Sequence, residues 1–362
     1  MKTIIKIAFV VLTSVSLLSS ANAGEMTVSG SAKATWTNIS ETQASKGIGI
    51  ANELTFGANG SLDNGYTWAV AIALDPTEQG TNTSGNTTIA SSGAALNDDT
   101  SMTIGMPGLG TLGIHVSAGG FNAKYGWASD AYTIMSDTGT SEGASYNGDL
   151  GDTANIQFAT EAGMLPLGAV LQAGYGYAKT DAQSSNAPGN AGDNRAAYGL
   201  TIKPIDGLTV GATYTEISEY GDGTVHGQSE QGGAYYAKFA TGPVTIGAGK
   251  SYSAPTISKG SDAGQITSTA ATGSIVEYYE NTGISVGYAL NDAVRISYTR
   301  EKNEAHQLTS TNANFDITQN SYQVAYNVGG ATLSLVRHDT DNASYTNNKD
   351  TTETLVAIAM AF

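Results

Sequence analysis

Through most of the chain, apolar and polar side chains alternate with a period of two. In "MTVSGSAKATW" (26–36), Met26, Val28, Ala32, Ala34 and Trp36 fall on one side, and Thr27, Ser29, Ser31, Lys33 and Thr35 on the other. Successive residues of an extended strand point to opposite faces, so the pattern predicts a strand with one apolar face. "NELTFGANGSL" groups Leu54, Phe56, Ala58 and Leu62 in the same way, and "YTWAVAIAL" groups Tyr66, Trp68, Val70, Ile72 and Leu74. Between those two runs stands Asp63-Asn64-Gly65. Asn and Gly tolerate the left-handed backbone of a tight turn, so the triplet predicts a hairpin.

The pairing of runs continues to the end. "TSMTIGM" turns at 107–110 into "TLGIHV", "ANIQFAT" at "GMLPLG" into "AVLQAGYGYA", and "AAYGLTIK" at 204–207 into "LTVGATYTE". "AYYAKFA" turns at "TGP" into "VTIGAGK", "ISVGYAL" at Asn291-Asp292 into "AVRISYTRE", and "SYQVAYNV" at Gly329-Gly330 into "ATLSLV". The last run, "ETLVAIAMAF", puts Val356, Ile358, Met360 and Phe362 on one face. The count is sixteen strands. Seven short turns alternate with eight longer polar loops at 38–51, 76–97, 119–152, 180–194, 218–231, 253–273, 303–317 and 341–350. Short and long connections in strict alternation predict an up-and-down barrel whose two rims face different surroundings. An even strand number places both ends of the barrel at the short-turn rim.

The first residues stand apart from this pattern. Lys2 and Lys6, an apolar stretch broken by Thr13, Ser14 and Ser16, and Ala21-Asn22-Ala23 follow the order of a secretory signal peptide. Cleavage after Ala23 is expected, giving a domain of residues 24–362. Without Lys2 and Lys6, 14 basic side chains remain against 32 acidic ones. So acidic a chain is not a nucleic-acid binder, which needs a basic surface. It has no cysteine, so disulfides contribute nothing. With 45 Gly, 19 Tyr and only 7 Pro, it also lacks the aromatic-poor composition of a disordered chain. No run after Ala23 reaches the roughly 18 apolar residues of a spanning helix, so in a membrane only a closed barrel is open to it.

Alternation alone does not say whether the apolar face meets a dry core or lipid. Three features favour lipid. The polar face is fine-grained (Gly57, Asn59, Thr209, Gly211, Thr213, Thr245, Gly247, Gly249), as a wet interior would be. Aromatics of the apolar face gather near strand ends: Tyr66, Phe239, Tyr288, Tyr326 and Phe362 at one rim, Trp36, Tyr177, Tyr214, Tyr278 and Tyr298 at the other. Interfacial rings seek those levels, with the apolar body in lipid and the polar tip in water. The chain also carries an export signal. The alternative is a soluble sandwich with the same face turned inward.

The export signal, the first strand "MTVSGSAKATW", sixteen alternating strands, a long third loop and a terminal Phe362 together resemble a Gram-negative general diffusion porin, most nearly the alphaproteobacterial trimeric type. The resemblance implies an all-β, 16-stranded antiparallel transmembrane barrel in the outer membrane, with short periplasmic turns and long extracellular loops. It implies a homotrimer in contact with the lipid bilayer and lipopolysaccharide, with the second loop (76–97) reaching a neighbour. It further implies that the barrel-assembly machinery reads the last strand with Phe362, and that the third loop folds inward to narrow the pore. A 34-residue connection without regular structure is itself a sign of function.

That loop (119–152) carries Asp130, Asp137, Glu142, Asp149 and Asp152 against one basic residue, Lys124. Charges in a narrow passage of low dielectric set ion preference. Porins oppose such acids with basic side chains on the facing wall. Here the inward positions of the second to fifth strands offer Glu53, Asn59, Thr67 and His115 and no arginine. Lys33 fits by side and strand, and Lys203, Lys238 and Arg295 face inward elsewhere. Candidate constriction residues are therefore Lys33, Glu53, Lys124, Asp130, Asp137, Glu142, Asp149, Asp152 and Arg295. The expected function is passive diffusion of ions and small hydrophilic solutes with a preference for cations.

Two other readings stay open. A substrate-specific channel would need an arginine ladder or an inward aromatic track, for which Tyr236 is one candidate. A secreted β-rich adhesin would show a short fixed repeat. An enzyme is not expected, since His115, His226, His306 and His338 lie in no catalytic motif. No cofactor is expected, and the acidic "EYGDG" (219–223), a conceivable calcium loop, matches no EF-hand spacing.

Overall fold

The computed structural model describes residues 24–41, 45–74, 99–116, 121, 125–133, 150, 154–177, 194–219, 226–254, 257–258, 276–307, 315–343 and 347–362. The leader, and with it the expected cleavage site, lies outside them. Sixteen strands close into a barrel. On one side are β1 (Glu25–Glu41), β2 (Ser45–Ser61), β3 (Thr67–Leu74), β4 (Asp99–Met106), β5 (Gly110–Val116), β6 (Ala154–Thr160), β7 (Val170–Tyr177) and β8 (Asn194–Ile202). Past a short strand β10 (His226–Gln228) and another, β13 (Ile257–Ser258), the circuit is completed by β9 (Leu208–Glu219), β11 (Gln231–Thr241), β12 (Val244–Ala254), β14 (Val276–Ala289), β15 (Val294–Gln307), β16 (Phe315–Val328), β17 (Ala331–Asp341) and β18 (Thr351–Ala361). β10 and β13 pair with each other as a separate two-stranded sheet that the alternation pattern does not announce.

Each barrel strand pairs antiparallel with its sequence neighbour in the barrel, and β1 closes on β18 through Ser31↔Ala361 to Glu41↔Thr351. Closure leaves no unpaired edge, so the backbone hydrogen bonds are satisfied within the protein even where no water is present. The short turns follow the predicted chemistry. Gly329 and Gly330 both take positive φ (55° and 89°) between Val328 and Ala331, the two-residue turn whose twist matches a hairpin. Phe362 exchanges backbone hydrogen bonds with Gly30 (2.7 and 2.9 Å), fixing the C-terminus at the short-turn rim.

One connection departs from the expected alternation. Residues 38–51 are not a long loop: β1 and β2 stay in register from Glu25↔Asn59 up to Ile39↔Ser45, leaving only 42–44 between them. Gly47-Ile48-Gly49-Ile50 still alternates, and Ile48 and Ile50 point outward, so period two wins over the polar composition. At 303–317 the strands likewise run further than expected, β15 to Gln307 and β16 from Phe315. The wall is therefore uneven, with 14-residue strands at β14–β16 and strands of 7 or 8 at β3–β6.

The apolar face points out. Val28, Ile50, Phe56, Met102, Ile114, Ile156, Leu171, Ile246, Ile284, Val286, Val324, Leu335, Val356 and Ile358 are all exposed on the outer surface. No dry core of the size a sandwich needs exists among the described residues; the buried apolar clusters hold three residues each. Toward the long-loop rim of β12–β17 this belt gives way to outward charges paired as Lys250–Glu280 (2.7 Å), Lys302–Glu304 (2.7 Å), Lys302–Asp316 (3.1 Å) and Arg337–Asp339 (3.0 Å). Exposed pairs of this kind add little stability, so their interest is their position above the belt.

Candidate functional site: the constriction

Inside the barrel the described residues of the third loop, 121, 125–133 and 150, lie against one wall. Phe121 and Leu150, near the two ends of that loop, pack with Ala197 on β8, over the spaces left by Gly174 and Gly199. Residues 125–133 then cross the strands. Trp127, 1% exposed, covers Gly247 and Gly249 of β12 and Gly283 of β14, where any Cβ would overlap its backbone or indole. Beside it, the ring of Tyr236 fills the space between Gly126 and Gly211 of β9. Of the glycine positions expected to face water, Gly211 and Gly249 are instead seats for aromatic rings, and Gly247 is a seat for the Trp127 backbone.

Beyond Trp127 the loop backbone is held by hydroxyls and one amide. Ser129 N–H donates to Ser285 Oγ (2.9 Å), and Ala131 N–H to Ser297 Oγ (2.8 Å). Gln323 Oε1 accepts from the N–H groups of Tyr132 and Thr133 (2.9 and 3.0 Å), while its Nε2 donates to Thr133 O (2.5 Å). Tyr132 packs on Val336, Leu355 and Ala357 of β17 and β18. A loop's backbone polar groups must find partners when buried, and here the wall supplies them strand by strand.

Asp130 sits at the centre of this clamp. Its Oδ1 accepts from Thr299 Oγ1 (2.5 Å) and Gln323 Nε2 (3.2 Å), and its Oδ2 is sealed without a hydrogen-bond partner. Burial pushes its carboxyl from 3.8 up to about 6; the Thr299 hydroxyl bond opposes the rise, Glu301 adds to it, and Arg295 and Lys238 oppose it. Arg295 donates from Nη2 to Ser129 O (3.2 Å) and lies across Gly287.

The two halves of the inner wall differ sharply. Most inward residues in the middle of β14–β18, among them Ser285, Thr299, Gln319, Ser321, Val336, His338 and Glu353, are buried, while Arg295 near the short-turn rim is exposed. Inward side chains of β1–β5 stay accessible, with Lys33, Glu53 and His115 partly exposed and Asn59, Thr67 and Thr111 exposed, between buried glycines at Gly57 and Gly113. The open passage therefore runs along β1–β5, opposite the clamped loop.

Of the expected constriction residues, Lys33 and Glu53 line this open wall from β1 and β2, and Glu53 accepts a hydrogen bond from Thr55 (2.9 Å). Asp130 and Arg295 are brought together at the clamp. Lys124, Asp137, Glu142, Asp149 and Asp152 lie outside the described residues, as do 220–223 of the acidic "EYGDG" and the second loop 76–97. Lys203 sits exposed at the short-turn rim. Trp127, Ser285, Ser297, Thr299 and Gln323 are not among the residues that motif and spacing single out. Their signal is a line of small inward residues on successive strands, Gly247↔Ser285↔Thr299↔Ser321, which becomes a line only once register is known.

No protein-family model matches the sequence, and comparison with curated proteins finds no match. Solved structures do match. A loop-deleted form of OmpT, an outer membrane protein of Vibrio cholerae, is 11% identical with a TM-score of 0.65, covering 94% of this chain and 100% of its own. OmpF of Salmonella typhi, in complex with daunomycin, is 13% identical at 0.65, covering 94% and 98%. An anion-selective porin from Comamonas acidovorans is 10% identical at 0.61, covering 94% and 100%. At such identities the likeness shows the fold: a closed sixteen-stranded porin barrel.

Proposed function

We propose that this chain is an outer-membrane channel of a Gram-negative bacterium, through which ions and small hydrophilic solutes diffuse passively, with cations preferred. One observation carries the reading: a loop segment is clamped inside a closed barrel whose outer belt is apolar and whose opposite inner wall is polar and accessible. A protein of this build has hydrocarbon-matching side chains outside and water-accessible hydroxyls and amides within. It does no bond chemistry; His115, His306 and His338 stand on three different strands, and His306 is stacked on Tyr278 (centroids 4.3 Å). Support for cation preference is the acidic third loop, with Asp130 in the clamp, and the absence of arginine from the inward positions of β1–β5.

The purified protein in planar lipid bilayers is expected to give discrete conductance steps, with a reversal potential across a KCl gradient of the cation-preferring sign. A chloride preference ends the selectivity reading, and no conductance at all ends the channel. Liposome swelling with sugars of graded size is expected to fall smoothly with size; saturation by one sugar would instead favour a substrate-specific pore.

The same reading places the barrel in a homotrimer. The exposed outward tyrosines on the described strands (Tyr175, Tyr198, Tyr235, Tyr252, Tyr288, Tyr322, Tyr326) all lie on β7–β16. The described strands β17, β18 and β1–β6 carry none, Tyr66 standing in the turn before β3. Tyrosine marks the lipid interface along β7–β16, and the tyrosine-free sector, where Trp36 is the exposed indole on the strands, suits contact with a second copy. The outward charges above the belt suit the phosphates and divalent cations of lipopolysaccharide. Phe362, exposed and lying over Gly30, suits recognition by the barrel-assembly machinery. An unheated detergent gel is expected to show a trimer band that stains for lipopolysaccharide and collapses on boiling. Deleting Phe362 should slow its appearance in cells, and a monomer band alone would count against the assembly.

A further inference from the structure

We propose that the inner wall near the short-turn rim carries a groove for one ring of a neutral polyhydroxylated solute, a sugar or polyol. The inference rests on the channel reading and deepens it by naming a solute class. The groove is a cavity of about 290 Å³ on the inward face of β2–β5, with Asn59, Ser61, Thr67, Thr103, Gly105 and Thr111 in its lining. At ~30 Å³ per water it has room for roughly ten waters, about the bulk of a single sugar ring.

Register sets its shape. Ser61, Thr67, Gly105 and Thr111 are successive partners across four strands, and Asn59, Ala69 and Thr103 form the next row. Two strand spacings part Thr67 from Thr111, about 10 Å, and the two rows lie about 7 Å apart. Between Thr67 and Thr111 the floor is Gly105, where a Cβ would overlap the Thr67 hydroxyl. The missing side chain therefore lets that hydroxyl lean into the groove.

The chemistry follows from what these side chains leave unused. Asn59, Ser61, Thr67, Thr103 and Thr111 make no side-chain hydrogen bond among the described residues. On the opposite wall, Ser285, Ser297, Thr299 and Gln323 are spent on the third loop. A hydroxyl donates one hydrogen bond and accepts two, and an amide also does both. Donors and acceptors side by side match the neighbouring hydroxyls of a polyol. No charged side chain is in the lining, so an ion finds nothing to neutralise it. Glu161, on a neighbouring turn, accepts from Gly108 N–H. The groove lies beside the passage, so it lengthens a solute's stay while the constriction still sorts by size.

The test is saturation-transfer NMR on the detergent-solubilised protein with D-glucose as the probe and sodium acetate in a parallel arm. Wild type is expected to transfer saturation to the glucose ring protons and not to acetate, and added mannitol should compete. Thr67→Val, Thr103→Val and Thr111→Val combined keep the side-chain shape, remove the hydroxyls and should lower the transfer severalfold. Gly105→Ala fills the floor and should do the same, while Thr209→Val on β9 should leave the transfer unchanged. Each variant is first shown to assemble on the unheated gel. A fall in the triple variant or in Gly105→Ala, with Thr209→Val unchanged, supports the groove. Undiminished transfer in both, an equal fall in Thr209→Val, or none from wild type overturns it. Acetate transfer as strong as that of glucose overturns the ligand class. The readout needs no conductance, so a lack of channels strikes the channel reading alone.

Discussion

Replacing Trp127 by alanine is expected to loosen the clamped loop and raise the single-channel conductance, with larger current fluctuations. Trp127 is the most deeply seated large side chain of residues 125–133, its indole resting on Gly249 of β12 and Gly283 of β14. Truncating a buried tryptophan costs about 3–5 kcal/mol. That loss falls on the loop's attachment and not on the barrel, whose strands keep their own hydrogen-bond ladders. The unheated gel should therefore show an assembled barrel while the conductance rises. Gly283→Ala and Gly249→Ala should act in the same direction, because their Cβ atoms would occupy the space of the indole. Gly47→Ala is the control: a Cβ placed there has nothing within 4 Å, and it should leave the conductance as it was. Wild-type conductance in Trp127→Ala would sink the clamp as the determinant of pore size.

Asp130 should make the pore respond to pH in a step centred near 6. Its folded value of about 6 lies above the ordinary 3.8, mainly through burial. Between about pH 4 and pH 6 the clamped form therefore holds a proton that the released form has lost. Raising the pH through that window weakens the clamp; the cost is fully present above about 6 and absent below about 4. Two effects follow on acidification. The pore loses one negative charge, so cation preference falls, and the loop is held more firmly, so current fluctuations fall too. Asp130→Asn keeps an oxygen to accept from Thr299 and Gln323 but carries no charge. At neutral pH it should behave as wild type does near pH 4, with a flat response across the window. Reversal potentials and current noise measured from pH 4 to 8 check both. An undiminished step in Asp130→Asn would assign the response to another group.

Residues on the strands and residues in the loops are legible to different degrees. Met26, Val28, Phe56 and Ile358 declare their side by alternation, since period two is a local property of extended chain. The hairpin at Asn64-Gly65 declares itself through backbone preference. Composition misleads at 38–51, where polar residues suggest a loop but Ile48 and Ile50 keep the period. Gly247 and Gly249 look water-lining because their strand shows only that they face inward. What they meet comes from a residue more than a hundred positions away in sequence.

Sequence alone determined that the chain is all-β, that sixteen alternating strands pair with their neighbours, which face is apolar, and that the third loop is too long to be a simple connection. Each of these follows from short-range rules: side-chain period, turn chemistry and connection length. Only the tertiary structure decided the register in which strand β1 closes on β18, that Trp127 seats on β12 and β14, and that Asp130 is clamped by Thr299 and Gln323. These depend on register between distant strands, and register is set when the barrel closes, by all the pairings together.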